Sequence, residues 1–150
     1  MANADNAFGF KPVSPNPRAI TVRAGGTFST GDALMWSSGK IIIHDAGANL
    51  VAGVAATDGA SGETAIMWSD PNCEFIAQCS GTYAEDTHDG TPVDLEGATG
   101  AQEVNENASA QDHMIVLGHH PIAGSEDAGA NAVVRVKFLE HASGAVPATS

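Results

Sequence analysis

Apolar residues along this chain fall in short runs, punctuated by Gly, Pro, Ser, Asn and Asp. Runs of strand length cover residues 19–23, 33–36, 40–44, 50–56, 64–69, 73–79, 92–95, 113–118 and 131–139. In the last of these, Val134, Val136 and Phe138 share one parity while Arg135 and Lys137 take the other. Successive side chains of a strand point to opposite faces, so this alternation reads as a half-buried strand. No segment keeps a helical period over three turns. Ser37-Ser38-Gly39 has the composition of a tight hairpin turn, and Gly97-Ala98-Thr99-Gly100 reads as a second. The polar stretch from Glu96 to Asp112 reads as a long loop with at most a short strand or helical turn. The pattern predicts an all-β fold, a small antiparallel β-barrel or sandwich.

Residues 1–18 differ from the rest. Pro12, Pro15 and Pro17 exclude a helix and remove ladder donors. This segment is expected to be an extended N-terminal arm, ahead of a β-rich domain at 19–141 and a tail at 142–150. In an extended arm Phe8 and Phe10 share a parity and face the same way. The body also carries a weak internal regularity. Gly31-Asp32-Ala33-Leu34, Val51-Ala52-Gly53-Val54 and Ala65-Ile66-Met67-Trp68 find echoes in Gly90-Thr91-Pro92-Val93, Ile115-Val116-Leu117-Gly118 and Val133-Val134-Arg135-Val136. This suggests two halves of similar design.

Length changes the picture little: 150 residues suit one domain with one core. Charge changes it more. Eighteen acidic residues against six basic ones give a net charge of −12, which repels phosphate backbones and argues against nucleic-acid binding. The arm is the exception. Residues 1–23 hold Lys11, Arg18 and Arg23 against Asp5, a net of +2, which leaves −14 on the remainder. No apolar run approaches the ~20 residues of a membrane span, and the opening residues lack the regions of a signal peptide. The expectation is a protein that stays in the cytosol or in a particle assembled there. Cys73 and Cys79 lie six positions apart in one strand-like run, about 20 Å when extended, whereas a disulfide needs Cα atoms within about 7 Å. They are expected to remain free thiols.

Candidate chemistry is sparse. His44, His88, His113, His119, His120 and His141 show no zinc-ligand spacing and read as loop or surface residues. The carboxylates Glu85, Asp86, Asp89, Asp94 and Glu96 crowd one region, but their spacing is not that of a calcium loop. No nucleophile elbow, phosphate loop or dinucleotide fingerprint is present. Neither an enzyme nor a cofactor or metal is expected. Trp36 and Trp68 close short apolar runs and read as core residues, with an interface anchor as the alternative.

Several segments, in order, resemble the head decoration or capsid cement proteins of tailed phages. The opening Met1-Ala2-Asn3-Ala4-Asp5-Asn6-Ala7-Phe8-Gly9-Phe10-Lys11-Pro12-Val13 is similar to their Asn-rich start and Phe-Gly-hydrophobic-basic-Pro-Val signature. Gly31-Asp32, then Val51-Ala52-Gly53-Val54-Ala55, then Ala60-Ser61-Gly62-Glu63-Thr64-Ala65 follow in the family's order, and the run from Asn131 to His141 is similar to its terminal strand. The resemblance implies a virion protein on the outer surface of the expanded capsid, assembled in the host bacterial cytoplasm. It implies the major capsid protein and copies of itself, as a homotrimer, as partners, with no nucleic acid and no membrane. The residues expected at the capsid or subunit interface are Phe8, Phe10, Lys11, Pro12, Val13 and Arg18. Rival readings are another virion protein, such as a tail-tube subunit or a head-fibre adhesion subunit, and a small sugar-binding β module.

Overall fold

The computed structural model describes residues 3–44, 50–109, 111–122 and 125–139. The expected His141 and the tail at 142–150 lie outside the described residues. The fold is all-β, with 46% strand against 3% helix, and its antiparallel sheets pack as a sandwich. Each apolar run predicted as a strand contains one. In chain order the strands are β1 (Lys11–Pro12), β2 (Ala19–Arg23), β3 (Ala33–Ser37), β4 (Lys40–Ile43), β5 (Gly53–Ala55), β6 (Thr64–Trp68), β7 (Phe75–Gln78), β8 (Thr82–Tyr83), β9 (Pro92–Glu96), β10 (Glu103–Asn105), β11 (Met114–His119), β12 (Gly129–Ala130) and β13 (Val133–Phe138). One helical turn, α1 (Glu85–His88), sits between β8 and β9.

The two main sheets repeat one design. The five-stranded sheet runs β2-β6-β5-β3-β4, and the six-stranded sheet runs β1-β7-β13-β11-β9-β10. Without β1 the orders are the same, with β2 answering to β7, β3 to β9, β4 to β10, β5 to β11 and β6 to β13. The registers agree as well. Ile20 faces Met67 and Val22 faces Ala65 in the first half, as Phe75 faces Val136 and Ala77 faces Val134 in the second. Trp36 pairs with Ile41 as Leu95 pairs with Val104. Each sheet curls until the residue after β2 or β7 meets the far edge strand, β4 or β10, through a parallel bridge, Ala24 to Ile41 and Cys79 to Val104. The closing hydrogen bonds correspond too, from Gly25 N to Ile41 O and from Ser80 N to Val104 O, both 2.7 Å. Finally, Phe28 bridges to Gly59 where Tyr83 pairs with Gly129, within the matching stretches Gly26-Thr27-Phe28 and Gly81-Thr82-Tyr83.

The halves predicted from sequence are therefore present, with a corrected alignment. Leu34 does correspond to Val93. Val54 corresponds to Ile115, three places from the expected match, and Ala65 corresponds to Val134, one place away. Loops of unequal length between otherwise matched strands caused the slip. The β3–β4 hairpin turns on Ser38 and Gly39, both at positive φ (51° and 78°), the signature of a tight primed turn. Its counterpart between β9 and β10 is longer and not a turn of the same kind; Gly97 and Gly100 take positive φ, and Ala101 N bonds Ala98 O.

Two apolar clusters result. The smaller fills the curl of the first sheet with Val22, Phe28, Leu34, Ile41 and Met67 among others. The larger fills the second curl and the space between the sheets, joining Phe75, Val116, Val134 and Phe138 to Val51, Val54 and Trp68 of the first half.

The extended N-terminal arm is not there. β1 forms the edge of the six-stranded sheet, Lys11 pairing with Ile76 and Pro12 with Phe75, and Val13 N donates to Glu74 O. Gln78 clasps the segment further upstream, its Nε2 donating to Ala4 O and its Oε1 accepting from Asn6 N. Asn3 closes the contact through Asp127 and Ala130. The prolines do exclude a helix, but they are compatible with an edge strand, and an exposed β7 edge flanked by apolar surface captures the segment. The segment completes the second half of the sandwich.

Candidate functional site

The six residues expected at an interface divide by environment. Phe10 is fully buried, with its ring 5.3 Å from that of Phe138. Its side chain is part of the core and presents no surface of its own. Phe8 is half-buried, lines a cavity of about 80 Å³ with Asn6, Gln78, Ile122 and Val133, and carries the Lys11 ammonium 4.5 Å from its ring centre. Pro12 is half-buried on the sheet edge, whereas Lys11, Val13 and Arg18 are exposed. Arg18 is anchored at its base, its Nε donating to Ser69 O at 2.8 Å and its backbone N to Asp70 Oδ2.

Gly9 divides the two phenylalanines. Its φ is +80°, and a Cβ there would stand 2.6 Å from the carbonyl oxygen of Gly31. The equal-parity argument needs continuous extended backbone, which this dihedral interrupts. Phe10 N then donates to Gly31 O at 2.8 Å, Gly9 N to Gln102 O at 3.1 Å, and Gly31 N to Ala55 O at 2.9 Å. Around this knot the buried Gln102 Oε1 accepts from Ala33 N, and Asp32 accepts from Ser29 N and Gly100 N, both at 2.8 Å. Burial pushes the Asp32 carboxyl above the usual carboxylate range, against the pull of those two amides. No signal in the sequence marked Gln102.

Histidines form two groups. His44 and His113, both buried, meet edge to face at 4.8 Å between the halves, and His113 Nδ1 accepts from Leu95 N. His88 and His119 flank the ring of Tyr83 at 6.0 and 5.9 Å, and the Tyr83 hydroxyl donates to Asp89. Of the histidines expected in loops or on the surface, His44 and His113 do lie just outside β4 and β11, but His44, His88 and His113 are all buried and serve as packing groups. Among the described residues, no three His, Cys, Asp or Glu side chains gather as metal ligands.

Burial favours the protonated forms of the two thiols and of the Tyr83 phenol. Cys73 and Cys79 are free and buried. Burial, reinforced by Glu106 and Glu103, pushes the Cys79 thiol up to about 12, and burial raises Cys73 as well. A thiol needs its anion to attack, so neither is poised to do so near neutrality. Burial and the bond to Asp89 raise the Tyr83 phenol.

The tryptophans split. Trp68 packs against the larger cluster, while Trp36 is 47% exposed beside the β3–β4 turn. No protein-family model matches the chain, and no curated protein matches it.

Proposed function

We propose that this chain is a non-enzymatic structural protein of a tailed-phage particle, seated on the outer surface of the expanded head and holding neighbouring capsomers together. The observation that carries the reading is where the resembling segments meet. Phe-Gly-Phe at 8–10, Gly31-Asp32, the stretch ending at Ala55 and the terminal strand converge on one knot, through Phe10 N to Gly31 O, Gly31 N to Ala55 O and the Phe10–Phe138 ring contact. Segments that jointly build one fold element are expected to occur together in a family that shares the fold. The strongly acidic chain supports the reading, because like charge keeps a crowded particle exterior soluble.

In this reading the docking residues are the exposed Lys11, Val13 and Arg18, with Phe8 and Pro12 beside them, on a folded surface rather than a loose arm. Copies touch one another around a threefold position on the shell. The test is decoration of expanded heads stripped of this protein. Saturable co-sedimentation, raised heat resistance and trimeric density by electron microscopy are expected. Failure to bind any expanded head, or density showing isolated copies, sinks the reading.

A further inference from the structure

The internal duplication exposes one asymmetry. Along β7 and the residue before it, the backbone groups that turn away from β13 are those of Glu74, Ile76 and Gln78, since Cys79 N bonds Ala132 O on the other parity. Residues 11–13 cover that edge, and Ile76 is buried. The counterparts in β2 are Ala19, Thr21 and Arg23. Ser69 N bonds Arg18 O and Ala24 N bonds Glu63 O, so the even positions serve β6 and the odd ones face outward. Among the described residues no strand pairs with this outer edge before the bridge at Ala24, and Ala19, Thr21 and Arg23 are all exposed.

The side chains tell the same story. Phe75 is buried beneath the N-terminal segment, whereas its counterpart Ile20 is only half covered. On the outward face Ile66, paired with Thr21, is 43% exposed. An added strand would cover Ile20 with one parity and, with the other, lie beside Thr21 and extend the face that carries Ile66. Two basic residues border the open side: Arg23 ends β2, and Lys40 lies alongside, its Cβ 3.1 Å from where a Cβ on Gly25 would stand, while the acidic Glu63 stands on the β6 side, opposite Ala24. Neither basic residue forms an ion pair among the described residues. A charged residue on an edge strand discourages pairing with a second copy, since both copies bring the same charge. It does not discourage an acidic strand.

We infer that the outer edge of β2 accepts an extended, acidic segment of a partner protein as an added antiparallel strand, repeating at the first half what residues 11–13 do at the second. Main-chain hydrogen bonds to Thr21 supply the pairing, and the carboxylates lie at the N-terminal end of the segment, beside Arg23 and Lys40. The inference stands on the duplicated sheet and does not rest on the capsid reading.

The probe is the peptide acetyl-Glu-Glu-Val-Thr-Val-Thr-amide, titrated into the ¹⁵N-labelled full chain. Saturable shifts at the amides of Ala19, Thr21 and Arg23, with slowed hydrogen exchange at Thr21 and Arg23, are expected. A counterpart with lysines for glutamates should bind more weakly by about threefold per exposed ion pair lost. Arg23→Glu should reverse that preference. A peptide N-methylated at alternate amides should not bind. Thr21→Pro removes an outward N–H that β6 does not use and should abolish binding; if that variant fails to fold, the N-methylated peptide carries the same test. Unmoved β2 amides at millimolar peptide, equal binding of the N-methylated peptide, or equal binding of the lysine peptide would each overturn the inference.

Discussion

Gly9 decides which way Phe10 faces. Its φ of +80° is open to glycine and costly for other residues, and its close approach to Gly31 leaves no room for a side chain. Reading the segment as continuously extended placed Phe8 and Phe10 on one face. A positive dihedral is not visible in a sequence, so the residue pattern alone does not separate the buried Phe10 from the half-buried Phe8. The difference has a measurable consequence. Phe10→Ala should cost about 3–5 kcal/mol, the range for a buried aromatic, while Phe8→Ala, at a half-buried site, should cost clearly less. Denaturant melts of the two variants should separate them, and equal costs would contradict the burial described here. Cys79 offers a second test at this scale. Its folded value of about 12 lies above the ordinary thiol value of 9.0, so the native state holds a proton that the unfolded chain has released. Stability from this group is therefore full below pH 9 and is lost as pH rises from there toward 12. Ala24 occupies the matching position in the first half, which makes Cys79→Ala a natural control. Native protein should resist iodoacetamide at pH 8.5, take two labels once denatured, and lose less stability above pH 9 when Cys79 is alanine. Rapid labelling of the native chain would contradict the shielding.

At the scale of elements, the strongly patterned strands were legible and the two- or three-residue strands were not. β2 and β13 follow from alternation alone. β8 and β12 could not have been found that way. Two residues carry no period, and what makes Thr82–Tyr83 a strand is a partner more than forty positions away. β1 is the costlier miss, because Pro12 argued against a strand, yet an edge position tolerates a residue without N–H. The consequence is a prediction opposite to the one an arm would give. Deleting residues 2–17 removes Phe10 from the larger cluster, uncovers Phe75 and strips the partners of Gln78. A free arm could be removed without harm. Here the truncated chain should lose cooperative unfolding and its dispersed NMR spectrum, whereas a truncated chain that melts like the full one would restore the arm.

For the whole molecule, the duplicated design raises the question of whether two halves make two folding units. The distribution of the core argues that they do not. The first half keeps a small cluster rich in alanine, with Ala24, Ala52, Ala55 and Ala65 beside its larger members. A stretch of about 50 residues is in the size range where a single core is marginal, and one rich in alanine buries little. Its other face, through Val51, Val54 and Trp68, belongs to the larger cluster that the second half dominates. The second half in turn needs Phe10, whose backbone is held by Gly31 of the first half and whose neighbour Gly9 is held by Gln102. Gln102 also satisfies the buried N–H of Ala33 across the interface. Each half is thus completed by groups it does not own, and opening the interface exposes apolar surface on both sides at once. The full chain should therefore unfold in a single transition with equal calorimetric and van't Hoff enthalpies. Gln102→Ala should lower that one transition by about 1–3 kcal/mol, the cost of stranding a buried donor, without splitting it. A fragment of residues 70–139 expressed alone should stay unfolded by NMR. Two resolved transitions, or a dispersed spectrum from the fragment, would show that the duplication has left two independent domains.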